Sequence, residues 1–257
     1  MLRSLSWLAL EVKYLEPARR FYEETLSMTV RPDDNRRSMR NGPSGTEKRT
    51  DDADDESNTG QEIAFEADES DLVLRRPTGI PRGGLHTHFA FAIPAASYDD
   101  WWDRLEDAGY DLEEVQFGNA KSLYCYDPDG NCVELGQRSV AGPGIDSIFE
   151  VVLEVESLTN AEPLYAAMGF ETVDRGSSRR RIRMNGPMAL ELWEPHLGIA
   201  DARGGVHVDL GFEASDPAAV GDAVSDRVCS VTNCADGSVI IRDPDGHHLT
   251  IHRTTDR

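Results

Sequence analysis

Lysine is nearly missing from this chain of 257 residues: of 26 basic residues only Lys13, Lys48 and Lys121 are lysines, against 47 acidic residues and a formal net charge of -21. That balance excludes a phosphate-backbone partner, because nucleic-acid binders need a basic stripe to release counterions. An acidic, lysine-poor surface resembles that of salt-in halophiles, where screening over a few ångströms at molar salt mutes self-repulsion. No apolar run approaches the ~20 residues of a membrane span, so no membrane association is expected. The opening MLRSLSWLALEV is interrupted by Glu11 and Lys13 and does not read as a secretory signal. A soluble, cytoplasmic protein is expected. Cysteine is scarce as well: Cys125, Cys132, Cys229 and Cys234 fit neither a zinc pattern nor a disulfide scaffold, and reduced thiols are the expectation. There is no P-loop, dinucleotide fingerprint, nucleophile elbow or H-E-x-x-H.

What the chain does have is an internal repeat. GGLHTH at 83–88 returns as GGVHVD at 204–209, and DPDGN at 127–131 returns as DPDGH at 243–247. A third echo pairs Leu10-Glu11-Val12 with Leu153-Glu154-Val155 at a longer separation, so the first half carries extra residues. The surplus lies in residues 32–61, which hold only Met39 and Ala53 as apolar side chains and are expected to form an acidic, mobile loop.

Each half divides again. The first unit has an alternating strand at 5–12, a helix with Ala18, Phe21, Tyr22 and Leu26 on one face, and strands near 28–31, 61–67 and 72–75. The second opens with a strand at 86–94. A helix follows, capped by Ser97 and stopped by Gly109, with Tyr98, Trp101, Trp102 and Leu105 along one core-facing stripe, and then three strands. The third runs from Ile148 to Glu194, its helix at 158–168 ending at Gly169. The fourth runs from Val206 to Arg253, with a Ser215 cap and Pro217 in the first turn. The fold class is therefore α+β, built of four βαβββ units in two domains, 1–139 and 145–257. The Asp-Pro-Asp-Gly segments are tight turns between strands and carry no catalytic role.

In LEVKYLEPARRFYEETL (10–26), HFAFAIP (88–94), YDPDGNCVELGQ (126–137), LEVESL (153–158), MALELWEP (188–195) and RDPDGHHLTIH (242–252), the chain resembles the vicinal oxygen chelate superfamily. That superfamily holds glyoxalases, extradiol dioxygenases, fosfomycin-resistance proteins and bleomycin-binding proteins. The resemblance spans nearly the whole chain outside the acidic loop and is specific for fold rather than for reaction. It implies that function resides in cups formed by two facing units, each unit supplying one residue from its first strand and one from its last. In the second unit those positions are His88 and Glu134, in the third Glu150 and Glu191. In the first they fall on Trp7 and Leu74 and in the fourth on Asp209 and Thr250, which make no ordinary metal site.

Glyoxalase-like pairing of the second unit with the third gathers His88, Glu134, Glu150 and Glu191, a hard ligand set for a divalent ion such as Ni, Co, Mn, Zn or Fe. Extradiol-like pairing leaves His88 and Glu134 one ligand short of a two-His, one-carboxylate triad. The resemblance thus implies a metal-dependent isomerase or lyase of the glyoxalase type, acting as monomer or homodimer on a small oxygen-bearing metabolite, with Glu134 or Glu150 shuttling the proton. A ring-cleaving dioxygenase and a metal-free binding protein are the rivals. His248, Thr250 and His252, with His207 and Asp209, form a second metal candidate, ranked lower because strand twist spreads same-face residues apart. One of His86 and His88 can be a core histidine. The run Arg179, Arg180, Arg181 and Arg183 can hold an anion or simply pair with surface acids.

Overall fold

A computed structural model describes residues 1–32, 62–76, 84–195 and 208–254. The acidic segment, from residue 33 on, lies outside the described residues, as does His207.

The first unit consists of β1 (Leu2–Glu11), α1 (Leu15–Arg20) continued by a π-helical turn at Phe21–Thr25, β2 (Glu62–Ala67) and β3 (Ser70–Arg75). Ala18, Phe21, Tyr22 and Leu26 are all buried, as their helical spacing predicts. The strand expected near 28–31 shrinks to a single bridge between Val30 and Phe65. Pro32, which has no N–H to offer a ladder, follows directly.

The second unit is β4 (Leu85–Pro94), α2 (Tyr98–Asp107), β5 (Glu113–Phe117), β6 (Ala120–Tyr126) and β7 (Cys132–Arg138). Tyr98, Trp101 and Leu105 are buried, and Trp102 packs against the core. The third is β8 (Ile148–Glu154), α3 (Leu158–Met168), β9 (Glu171–Arg175), β10 (Arg181–Asn185) and β11 (Ala189–Trp193). Gly169 ends α3 at φ 112°, a conformation that favours glycine. The fourth is β12 (Val208–Ala214), α4 (Pro217–Val224), β13 (Ser230–Asn233), β14 (Val239–Arg242) and β15 (His248–Arg253). Its helix is capped one residue later than expected: Asp216, not Ser215, accepts the Ala219 N–H, because Pro217 then occupies the first helical position.

These strands form two curled mixed sheets. One has the order β5-β6-β7-β4-β8-β11-β10-β9 and joins the second unit to the third; the other, β13-β14-β15-β12-β1-β3-β2, joins the fourth to the first. In each, the opening strands of two units meet antiparallel (β4 with β8, β1 with β12), while each closing strand lies parallel to its own unit's opening strand. This is the pairing that the glyoxalase-like reading of the sequence implies. One large apolar core includes Leu8, Phe91, Leu153 and Phe212 from the sheets and Phe21, Leu105, Leu164 and Val220 from the helices. The Asp-Pro-Asp-Gly turns tie units that share no sheet, since the Lys13 N–H donates to Asp129 at 2.6 Å and the Glu156 N–H to Asp245 at 2.6 Å.

Candidate metal centre

Register decides which side chains meet in the cup of the eight-stranded sheet. Ala90 of β4 lies opposite Glu134 on one side and Glu150 on the other, so a methyl group alone separates two glutamates. On the adjoining row Val152 lies between His88 and Glu191. The ladder between β4 and β8 shifts between His86 and His88, a bulge that leaves Thr87 unmatched and sets the direction of His88.

The outcome is a convergent trio. His88 Nε2 lies 3.3 Å from Glu134 Oε2 and 3.8 Å from Glu150 Oε1. One ligand atom from each of the three residues falls within 4.8 Å of the others, and all three residues are buried. Among the described residues no other trio of His, Cys, Asp or Glu converges in this way. His86 proves to be the core histidine, 1% exposed and edge-on to Phe89.

Glu191 is in the same cup but not in the trio. It stands one strand further on, directly across from Arg183, whose guanidinium reaches it at 2.9 Å and also pairs with Glu150. Arg181 at 3.4 Å and the Trp193 indole N–H at 2.6 Å occupy it further. The arginine run is thus divided: Arg181 and Arg183 face the cup, while Arg180 pairs with Glu194 and is mostly exposed.

Electrostatics follow from burial and neighbours. Burial opposes the His88 imidazolium, yet Glu134 and Glu150 outweigh it and carry the pKa up to about 9. Burial works to raise the Glu134 carboxyl, but His88, Ser122 and Tyr124 hold it below the ordinary range; the Ser122 hydroxyl donates at 2.6 Å and the Tyr124 hydroxyl at 2.9 Å. Burial and the Glu134 charge push the Tyr124 phenol up, so it remains a donor. Ser122 and Tyr124 were legible only through pairing, since Tyr124 is the cross-strand partner of Glu134. The trio opens into a cavity of about 920 Å³, walled on one side by Leu112, Val115, Phe117 and Tyr126. Cys132 also lines it, but burial raises its thiol to about 12, which removes it as a nucleophile.

The other sheet has the same frame and different contents. The matching residues are Trp7 for His88, Asp209 for Glu150, Thr250 for Glu191 and, because Ala9 pairs with it, Val73 for Glu134. Leu74, expected there from the sequence, belongs to the large core instead; every residue of β3 is buried, so alternation gave no phase. Trp7, Ala9, Ala64 and Val73 form an apolar cluster of their own. Asp209 is engaged by Arg75 at 2.7 Å and Thr250 at 3.2 Å, and His252 stacks on Trp7. Among the described members of the second candidate, Asp209, His248, Thr250 and His252, no metal-ligating trio converges, and His207 lies outside the described residues.

Known proteins resemble this chain in sequence and in fold. A family model described as the glyoxalase/bleomycin resistance protein/dioxygenase superfamily matches residues 4–135. Metallothiol transferase FosB of Staphylococcus saprophyticus is 33% identical over 70 residues, which is 25% of this chain and 46% of that protein, so the match spans less than half of the relative's length. Two solved structures share the fold. The "putative dioxygenase" from Bacillus subtilis aligns with a TM-score of 0.68 at 14% identity over 99% of this chain and 86% of its own. Glyoxalase I from Zea mays aligns with a TM-score of 0.64 at 18% identity over 96% and 91%.

Proposed function

Because the chain belongs to the glyoxalase/bleomycin resistance protein/dioxygenase superfamily, we infer that it is a divalent-metal enzyme of the isomerase or lyase kind, acting on a small metabolite with two neighbouring oxygens. The observation that carries this reading is the convergence of His88, Glu134 and Glu150 within 4.8 Å beside a deep cavity. One imidazole and two carboxylates suit Mn, Fe, Co, Ni or Zn and leave coordination positions open. Glu191, the fourth ligand expected from the sequence, joins only where Arg183 releases it.

A bound cation would act as a Lewis acid, holding the two substrate oxygens and stabilising the negative charge that proton removal leaves on them. Glu134, held by three donors, is a poor base and serves to fix the site. We assign the proton transfer to Glu150, which among the described residues meets His88 and Arg183 and carries no hydroxyl donors like those on Glu134. Trp193, whose ring lies 5.6 Å from that of His88, and Tyr124 at 5.5 Å flank the imidazole and keep water from its faces.

A metal-free binding protein is the second reading, and one observation favours it: with His88 protonated and Arg183 in place, the buried carboxylates are already neutralised. Ring cleavage fits less well, since the trio has one histidine where ferrous oxygenases of the facial-triad kind use two. Supplying 2-hydroxyacetophenone in D2O with Mn2+ separates the three. Metal-dependent loss of the α-proton signal by NMR, abolished in Glu150→Gln, is expected. Oxygen uptake with catechol would favour the dioxygenase, and binding without exchange would favour the metal-free binder.

A further inference from the structure

In a chain with 47 acidic residues and 26 basic ones, an arginine in a cavity without a carboxylate partner is unexpected. Among the described residues two such arginines line this cavity, Arg138 and Arg179. Arg181 and Arg183 are neutralised by Asp174, Glu150 and Glu191. Arg138 and Arg179 instead lie on aromatic faces: Arg138 over Phe149 at 3.7 Å, Arg179 over Trp193 at 4.1 Å. Among the described residues the Arg138 guanidinium donates to the Gln137 carbonyl at 2.8 Å. A guanidinium stacked on a ring is fixed in orientation and keeps its N–H edge free for an in-plane oxyanion.

Both rings border the trio. Trp193 lies edge-on to His88. Phe149 and the Glu134 carboxylate close on Gly136 together, where an added Cβ would stand 2.9 Å from the Phe149 ring and 3.2 Å from Glu134 Oε1. Each free guanidinium is thus one aromatic ring away from the trio. Behind them stands the apolar wall with Phe117 55% exposed and Tyr126 40% exposed, large faces of the kind a ligand covers.

We propose that the substrate of this cup is an organic oxyanion with an apolar body, its anionic group held by one of the two stacked guanidinium groups, Arg138 or Arg179, and its neighbouring oxygens directed at His88, Glu134 and Glu150. The proposal rests on the enzymatic reading for the second half of that statement and on the two unpaired arginines for the first. The cavity lining carries five acids, Asp111, Glu113, Glu134, Glu150 and Glu191, and four arginines, so an anion preference comes from the two arginines that make no ion pair among the described residues rather than from net charge. Charge-assisted hydrogen bonds, stronger than neutral ones, make this preference selective.

The test is calorimetric titration of the full chain with mandelate, 1-hydroxybenzylphosphonate and the neutral isostere mandelamide, each with one equivalent of Mn2+ and again after chelation. The better of the two anions is expected to bind about tenfold tighter than mandelamide, and which anion it is tells a carboxylate substrate from a phosphonate. Replacing the arginine that holds the anion, by Arg138→Met or Arg179→Met, should reduce the preference, and the double variant should bring it to within about twofold. Phe117→Ala should weaken anion and amide alike, leaving their ratio unchanged. Equal binding of the charged and neutral probes, no anion binding up to about 10 mM, or a preference intact in the folded double variant would overturn the proposal. Mn2+ binding without anion preference would remove the clamp and leave the metal reading standing; anion preference in a protein that takes up no Mn2+ would do the reverse.

Discussion

The buried Tyr22 hydroxyl donates to Asp127 at 2.9 Å, and Tyr165 repeats the bond to Asp243 at 2.9 Å. Both tyrosines sit in the helix of one unit and both aspartates in the Asp-Pro-Asp-Gly turn of the next. Burial pushes the Asp127 carboxyl up, while donors from Asn131, Tyr22 and Asp129 pull it down. Tyr22→Phe should therefore cost ~1–3 kcal/mol in urea unfolding, and Tyr165→Phe a similar amount, because each leaves a buried carboxylate short of a donor. Stabilities equal to the wild type would show that the latch is ornamental.

Trp7 fills the second cup where His88 stands in the first. A Cβ at Gly211 would lie 2.1 Å from the Trp7 ring, so Gly211→Ala should destabilise by about 1–3 kcal/mol through overpacking. Trp7→Leu made in the same chain should recover part of that loss. A double-mutant cycle with no coupling between the two positions would contradict the plugged-cup description.

His252 stacks on Trp7 at 5.2 Å and meets the Ser6 hydroxyl at 2.8 Å. Burial lowers its pKa below 6.5, against the Arg253 carbonyl and the charges of Glu213 and Asp236. With a depressed folded-state value, the unfolded chain takes up the proton first. The contribution of His252 is then fully present above about pH 6.5 and declines as pH falls below it. The stability difference between wild type and His252→Phe should shrink on going from about pH 7.5 to about pH 5.5. A difference independent of pH would contradict this.

Net charge supplies a further expectation. At -21 the folded chain should lose thermal stability on dilution from molar to ~0.1 M salt, as screening lengthens from ~3 Å to ~10 Å. A melting temperature unchanged by salt would contradict the halophile-like reading of the composition.

The sequence displayed the fold through its repeats and its helix boundaries, because glycine stops and apolar spacing are local properties; Gly169 closing α3 is an instance. The family resemblance, rather than any local pattern, singled out His88, Glu134 and Glu150, and the structure brings these three together. Two things were hidden. The phase of β3 was hidden because burial on both faces erases alternation, so Val73 was mistaken for its neighbour Leu74. The capture of Glu191 by Arg183 was hidden because it depends on cross-strand register, which no single strand encodes.

Metal content per chain tests the central claim most directly. Protein purified without a metal-affinity column, loaded with Mn2+ and dialysed against a weak chelator, should retain one ion per chain by elemental analysis. His88→Ala and Glu134→Ala should each lose it, since removing one of three ligands leaves the others poorly compensated. Asp209→Ala and His248→Ala, on the plugged side, should keep it, and so should Glu191→Ala, whose carboxylate Arg183 already holds. Two ions per chain, none at all, or loss in Asp209→Ala with retention in Glu134→Ala would contradict a single metal centre at His88, Glu134 and Glu150.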